Sequence, residues 1–316
     1  MTGGRCVDQQ LTANNLSVVT ARYHRSRAHA NDRLTPAPMK IIFSRKGFDS
    51  QYGGVPSPIL PDGTLLPLPI PSMQGRPLRD IQSPAGPLHL LVSDLTCGKI
   101  GPDTLVHLDP DLQSPAIPRL VGWQPSLGQV AAAQGHLARQ GVGEGDLFLF
   151  FGWYRQAEVI GGRWRYVPEA PDIHSLFGWL QIAAVIDACA PDCAQRYPWL
   201  EDHPHIAFAN TIGKSNTIYV GAESMLGGRS AGAGVFAHWS ERLQLTARGC
   251  SRSRWRVPDW MDPATSGLKL SYHNAASRWS RLDSALHLQT VGKGQEFVVD
   301  TGNSAAAQDW LVTLMQ

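Results

Sequence analysis

Proline recurs from Pro56 to Pro87 and again from Pro102 to Pro125. Each one fixes φ near about −65° and withholds a backbone N–H, so neither stretch can run as a long helix or as an interior strand. Both must be extended or turn structure, which makes them long ordered loops that need a scaffold. That scaffold has to come from the rest of the chain.

Short runs rich in β-branched and aromatic residues, bounded by Gly, Pro, Asp or Asn, predict strands at Lys40–Ser44, Leu88–Ser93, Leu105–Leu108 and Leu147–Trp153. The same pattern predicts others at Leu176–Val185, His205–Phe208, Thr217–Val220 and Phe297–Val299. Helical periodicity with stop signals marks Gln129–Gln140 and Ser304–Met315, and Phe236–Ala247 is a third candidate. Strand and helix do not alternate regularly, so the fold class is β-rich α+β, a single large domain. The segments "GDLFLFFGWYR" and "IHSLFGWLQIAAVI" read as paired apolar strands, and Gly178 marks a place where a sheet bends. Their patterning resembles the central strands of PUA-like small barrels, which hold modified or flipped bases.

The chain has 316 residues, 43% hydrophobic and 17% charged, with a formal net charge of +2. No apolar run reaches the ~18 residues a membrane helix requires. Five cysteines without paired spacing fit a reducing, cytoplasmic setting better than a disulfide framework. Cys189 and Cys193 alone are only half a metal site. Residues 1–38, polar and rich in Arg and His, read as a disordered leader or a mis-assigned start, with Met39 the natural beginning of a domain over 39–316. "GAESMLGGRSAGAG", from Gly221 to Gly234, is a surface loop, with a lid over a site as the alternative.

The stretch "SRKGFDSQYGGVPSPILPDG" concentrates polar groups on a constrained loop behind the first strand. Arg45 and Lys46 supply charge, Ser50 and Ser57 supply hydroxyls, and Gly53 and Gly54 permit close backbone approach to an anion. The competing reading is a proline-rich turn in which Asp49 and Ser50 bond their own backbone. In "HLDPDL", His107 and Asp109 stand two apart at a strand end and point the same way. A His-x-Asp pair is half of a facial triad for non-haem iron, completed by a distant His such as His273, His203 or His205. A turn capped by Asp109 or Asp111 explains the same residues.

The C-terminal region is basic. From Arg242 to Arg281 there are eight Lys or Arg against two Asp, with aromatics interleaved in "SRSRWRVPDW" and "SYHNAASRW". Arginines for phosphates and flat faces for bases are what a nucleotide groove requires. Buried tryptophans with solvated arginines are the plainer account. Glu296 is a general base or an ion-pair partner. No Walker loop, Gly-x-Ser-x-Gly elbow, His-Glu-x-x-His, Rossmann glycine signature or deaminase Cys-x-x-Cys occurs.

The segments "MKIIFSRKGFDS…GGVPSPILPDG", "HLDPDL", "NTIYV", "SRSRWRVPDW", "LSYHN…RW" and "GQEFVVD" together resemble the nucleotide modification associated domain 3 family, from Met39 to the C-terminus. That family is grouped with phage and bacterial systems that modify DNA bases. The resemblance implies site residues at Arg45, Lys46, Asp49, Ser50, Gly53, Gly54, Ser57, His107, Asp109, Asp111, Tyr272, His273, Arg278, Gln295 and Glu296. Joining both lines, the catalytic candidates are Lys46, Asp49, Ser50, His107, Asp109, His273 and Glu296. The ligand-binding candidates are Arg45, Gly53, Gly54, Ser57, Arg254, Trp255, Tyr272, Arg278 and Gln295, and the metal candidates are His107 and Asp109. The expectation is an enzyme of nucleotide or DNA-base modification, its pocket formed by the opening loop and the Arg/Trp-rich region. Alternatives are a non-catalytic reader of a modified base, and a metal-dependent oxygenase or hydrolase of a small molecule. A divalent metal is the expected cofactor, and nucleotide or DNA, not membrane, the partner.

Overall fold

The computed structural model describes residues 38–213, 215–291 and 296–316. Residues 1–37, and so nearly all of the expected leader, lie outside the described residues, as does Gln295. The strands that matter here are β1 (Lys40–Arg45), β2 (Ser57–Ile59), β3 (Ile70–Pro77), β4 (Leu105–His107) and β5 (Ser126–Gln129). They continue as β6 (Leu147–Ile160), β7 (Arg163–Tyr166), β8 (Ile173–Asp187), β9 (Thr217–Gly221) and β10 (Ala233–Val235). The last are β11 (Arg254–Val257), β12 (Lys269–Leu270), β13 (Trp279–Leu282), β14 (Ala285–Gln289) and β15 (Glu296–Asp300). The longer helices are α1 (Leu88–Leu95), α2 (Ala131–Arg139) and α3 (Ala305–Leu314).

The main sheet runs β12–β15–β1–β6–β8–β9–β5, with β2 and β7 attached to β6 and β10 to β8. Strand β1 lies parallel to β6 and antiparallel to β15, so the sheet is mixed. Residues 147–152 of β6 are buried without alternation, as a strand covered on both faces requires. The register of β8 slips once between Leu176 and Gly178 and again between Ile182 and Ala184. Such bulges bend and twist a strand. Beyond them β9 and β5 curl round, until Gln129 at the end of β5 donates from Nε2 to Glu296 Oε1 at the start of β15, 2.6 Å away. No ladder joins β5 to β12. The sheet is curled but open, and the closed PUA-like barrel is not detected among the described residues.

Helix α3 lays Leu311 and Leu314 on this sheet, with Trp310 beside Phe43. A second core gathers Phe48, Leu60, Leu66 and Leu68 around Leu88, Leu91, Val92 and Leu95 of α1. The proline-rich segments therefore carry apolar packing of their own. Strands β11, β14 and β13 form a separate three-stranded sheet.

Three expected elements differ. Leu88–Ser93 is helical, because its apolar positions fall at 88, 91, 92 and 95, the spacing of a helix face. His205–Phe208 is occupied by a helical turn over Pro204–Ala207, where proline's preset φ suits the first helical position. Phe236–Ala247 contains only a 3-10 turn at Glu241–Leu243 between extended residues. The Gly221–Gly234 segment holds a short ladder of Ser224–Met225 with Ser230–Ala231. Among the described residues no helix is long and apolar enough to cross a membrane.

Candidate functional site

Strand β1 delivers the opening loop, and the backbone N–H of Lys46 continues its pairing by donating to Phe151 O at 2.9 Å. The Lys46 side chain is only 7% exposed, and its Nζ lies 3.5 Å from Glu296 Oε1. The same oxygen accepts from Gln129 Nε2 at 2.6 Å and from Ser44 Oγ at 3.4 Å. A buried cation survives only with such a partner, so this pair ties β1, β5 and β15 together. Of the two expectations for Glu296, the ion pair is present, with Lys46 as its partner.

Much of the remaining loop satisfies itself. Asp49 Oδ1 accepts from the backbone N–H groups of Gln51 and Tyr52, both at 2.8 Å, while Oδ2 lies 3.8 Å from Arg45. Ser57 Oγ accepts from Leu68 N at 3.1 Å. Gly53 has φ +85°, and a Cβ there would lie 2.1 Å from the buried Phe48 ring. Ser50 is exposed on the turn, and Gly54 also takes a positive φ. The turn reading thus describes residues 47–57, and the loop's consequence is placement. Arg45, Lys46 and Tyr52 line an open cleft of about 590 Å³ together with Met73, His107 and Asp109.

Two segments meet at the cleft wall that His107 and Asp109 line. His107 closes β4, Asp109 follows just before Pro110, and His205 comes from the helical turn near residue 205. One ligand atom from each lies within 4.8 Å of the others. Asp109 Oδ2 is 3.7 Å from His205 Nε2, and its Oδ1 accepts from Gly128 N at 2.8 Å. His205 Nδ1 meets Asn216 Oδ1 at 2.6 Å, and Asn216 Nδ2 donates to His205 O at 2.7 Å. His203 caps the turn, its Nδ1 accepting from His205 N at 3.2 Å. His107 Nε2 is buried without a hydrogen-bond partner. Burial pushes His107 below its ordinary value, with Asp109 pulling the other way. Burial opposes ionisation of Asp109, but His205, Lys46 and His107 outweigh it and hold the carboxyl below its ordinary value. His107, Asp109 and His205 could therefore coordinate a divalent metal ion, and of the three distant histidines suggested by sequence it is His205 that joins the pair.

Asp111, two residues on, has a different employment. It is held by Arg119 Nη1 and Nη2, both at 2.6 Å, and by Trp123 Nε1 at 3.1 Å. Most of the C-terminal candidates also stand elsewhere. Strand β11 alternates, sending Trp255 and Val257 into the core and Arg254 and Arg256 outward. Trp255 is 2% exposed among Phe43, Phe151 and His174, so it offers no face to a base. Arg254 donates to Ser280 Oγ and Arg278 to Gln289 O. Tyr272 stacks on His136 at 4.7 Å, and His273 Nε2 accepts from Val291 N at 3.1 Å, its pKa lowered to about 4 chiefly by burial. Of the basic stretch, Arg252 stacks 4.1 Å over Trp153 and feels the charges of Arg45 and Asp49 on the opening loop.

Three participants escaped the sequence reading: Gln129, Gly128 and Asn216. Asn216 is the first residue of the "NTIYV" segment, so its signal was present in a motif without being assigned a role. No curated protein and no solved structure matches the chain. The sequence model of the nucleotide modification associated domain 3 family does, over residues 40–300, and the chain belongs to that family.

Proposed function

We propose that this protein is an enzyme that modifies a nucleotide or a nucleobase of DNA, with its substrate held in the cleft over Lys46, His107 and Asp109. One observation carries the reading: buried titratable groups from three segments, at residues 46, 107–109 and 205, converge beside an open cleft. A reader that only binds a base needs aromatic walls and donors. The convergence of two imidazoles, a carboxylate and a buried ammonium instead supplies proton transfer, charge stabilisation or metal ligation. The cleft also suits the substrate class implied by the family. Arg45 and Lys46 offer positive charge to a phosphate, and Tyr52 (48% exposed) and Met73 (93% exposed) present apolar surface to a base. Metal-dependent chemistry is compatible with this reading, because His107 and Asp109 of the ligand cluster line the same cleft. The described cysteines, Cys97, Cys189, Cys193 and Cys250, are free thiols, which supports a reducing cytoplasmic setting.

The test is incubation of the purified chain, supplied with divalent metal ions, with DNA and with free nucleotides, followed by mass spectrometry of the nucleosides. A new nucleoside mass that vanishes in Asp109→Asn supports the reading. Binding without any mass change, retained in Asp109→Asn, would make the protein a reader.

A further inference from the structure

We propose that His107, Asp109 and His205 form a centre for one divalent first-row transition ion, with the remaining coordination positions open to the cleft. The proposal deepens the functional reading above by naming an ion class at that site, and its first test needs no nucleotide.

The argument begins with the protons. Asn216 is fully buried, and its amide is orientated by donating Nδ2 to His205 O. Its Oδ1 can only accept, so the 2.6 Å contact requires the proton to sit on His205 Nδ1. In the neutral ring the lone pair is then on Nε2, the atom turned to Asp109. A ring nitrogen held by a fixed acceptor while the other presents its lone pair is how metal-ligating histidines are set up. Asp109 is anchored in the same way, one oxygen fixed by Gly128 N and the other facing His205. The buried His107 Nε2, which has no partner in the protein, supplies the third donor. Burying such an atom is unfavourable unless something satisfies it.

Gly128 gives this arrangement its room. A Cβ at that position would lie 2.2 Å from His205 Cδ2, so only glycine lets the ring reach the cluster. Of the neighbouring candidates, Asp111 is gripped by Arg119, and His203, whose Nδ1 accepts the N–H of His205, stands outside the set of ligand atoms within 4.8 Å of one another. Three protein donors leave coordination positions unfilled, which marks a reactive centre and not a structural one. Two imidazoles and a carboxylate favour iron, zinc, cobalt or manganese over magnesium and calcium, which prefer oxygen-only shells.

The experiment strips the full chain with chelator and titrates it with Co²⁺, following visible d–d absorption and stoichiometry. One Co²⁺ per chain is expected, displaced by Zn²⁺ and not by Mg²⁺. His205→Gln and Asp109→Asn should abolish the spectrum while far-UV circular dichroism stays unchanged. Asn216→Asp keeps the acceptor for Nδ1 but loses the Nδ2 bond to His205 O, so it should bind more tightly than Asn216→Leu, which should weaken binding by about 10–100-fold. Should either ligand variant unfold, the Asn216 pair still decides the matter. A folded wild type that binds no Co²⁺, or binds it equally well in Asn216→Leu, would leave only an Asp–His ion pair and overturn the proposal. Addition of a nucleoside monophosphate separates the two claims. A Co²⁺ spectrum that never responds to it would count against the nucleotide reading alone.

Discussion

Gly128→Ala asks how tightly the cluster is built. The substitution adds one methyl at a position whose backbone alanine can adopt, so the whole effect falls on His205. The new Cβ would lie 2.2 Å from Cδ2 and 2.3 Å from Nε2, whereas ordinary contact begins near 3.4 Å. The ring must retreat by about 1.2 Å, the difference between 3.4 and 2.2. It is tethered at 2.6 Å to Asn216 and packed between His203 and His107, with ring centroids 5.4 and 5.5 Å away. A retreat of that size sacrifices the Asn216 bond, worth about 1 kcal/mol, and adds about 1–3 kcal/mol of overpacking. Together they predict a loss of about 2–4 kcal/mol in urea unfolding. Co²⁺ affinity should fall by at least about tenfold, as loss of a supporting partner does elsewhere. Gly101→Ala, where a Cβ meets nothing within 4 Å, is the control. Wild-type stability and metal affinity in Gly128→Ala would show that His205 is not fixed where the argument needs it.

Lys46→Met leaves Glu296 buried beside Gln129 with no cation, and should cost about 3–5 kcal/mol in urea unfolding. Adding Glu296→Gln should recover most of that loss, and equal instability of single and double variants would contradict the pairing. Asp49→Asn should change stability by less than about 1 kcal/mol, because the amide oxygen still accepts from residues 51 and 52, whereas Asp49→Ala should cost about 1 kcal/mol. A nucleotide-binding loss in Asp49→Asn without a stability change would instead give that carboxylate a direct role. Burial pushes His174 down to about 3 from an ordinary value of 6.5, and its Nδ1 accepts from Trp255. Below pH 6.5 the unfolded chain therefore binds a proton that the folded chain refuses. This contribution is fully present above pH 6.5 and falls by about 1.4 kcal/mol per pH unit as the pH drops toward 3. His174→Gln, whose oxygen can still accept from Trp255, should make acid unfolding shallower by one proton, and an unchanged slope would refute the burial account.

The sheet was legible where apolar runs exceed what a loop can hold. The run at Leu147–Gly152 and its partner at Ile173–Gly178 announce paired interior strands, and Gly178 marks the slip in register. Helix α1 was missed because Pro87 was read as a strand boundary although it stands at a helix N-cap. His107 and Asp109 could be paired by their spacing, and His205 was one of three partners the sequence allowed. What made the choice is tertiary. Asn216 sits eleven residues beyond His205, and Gln129 meets Glu296 across 167 residues, a separation no local pattern encodes. Trp255 and its arginine neighbours looked like a groove because aromatic and basic residues alternate, yet on a strand that alternation sends them to opposite faces. The burial of Lys46 has the same origin, since its partner belongs to the far end of the chain.

The central claim is that a nucleotide and a metal ion share one cleft. Phosphorus NMR of a nucleoside monophosphate, with the chain loaded with Mn²⁺, tests it most directly. The account predicts strong broadening of the phosphorus line beyond that from free Mn²⁺, abolished by Asp109→Asn and reduced by Lys46→Met. Mn²⁺ bound to the chain without broadening of the phosphorus line, or broadening that persists in Asp109→Asn, would contradict it.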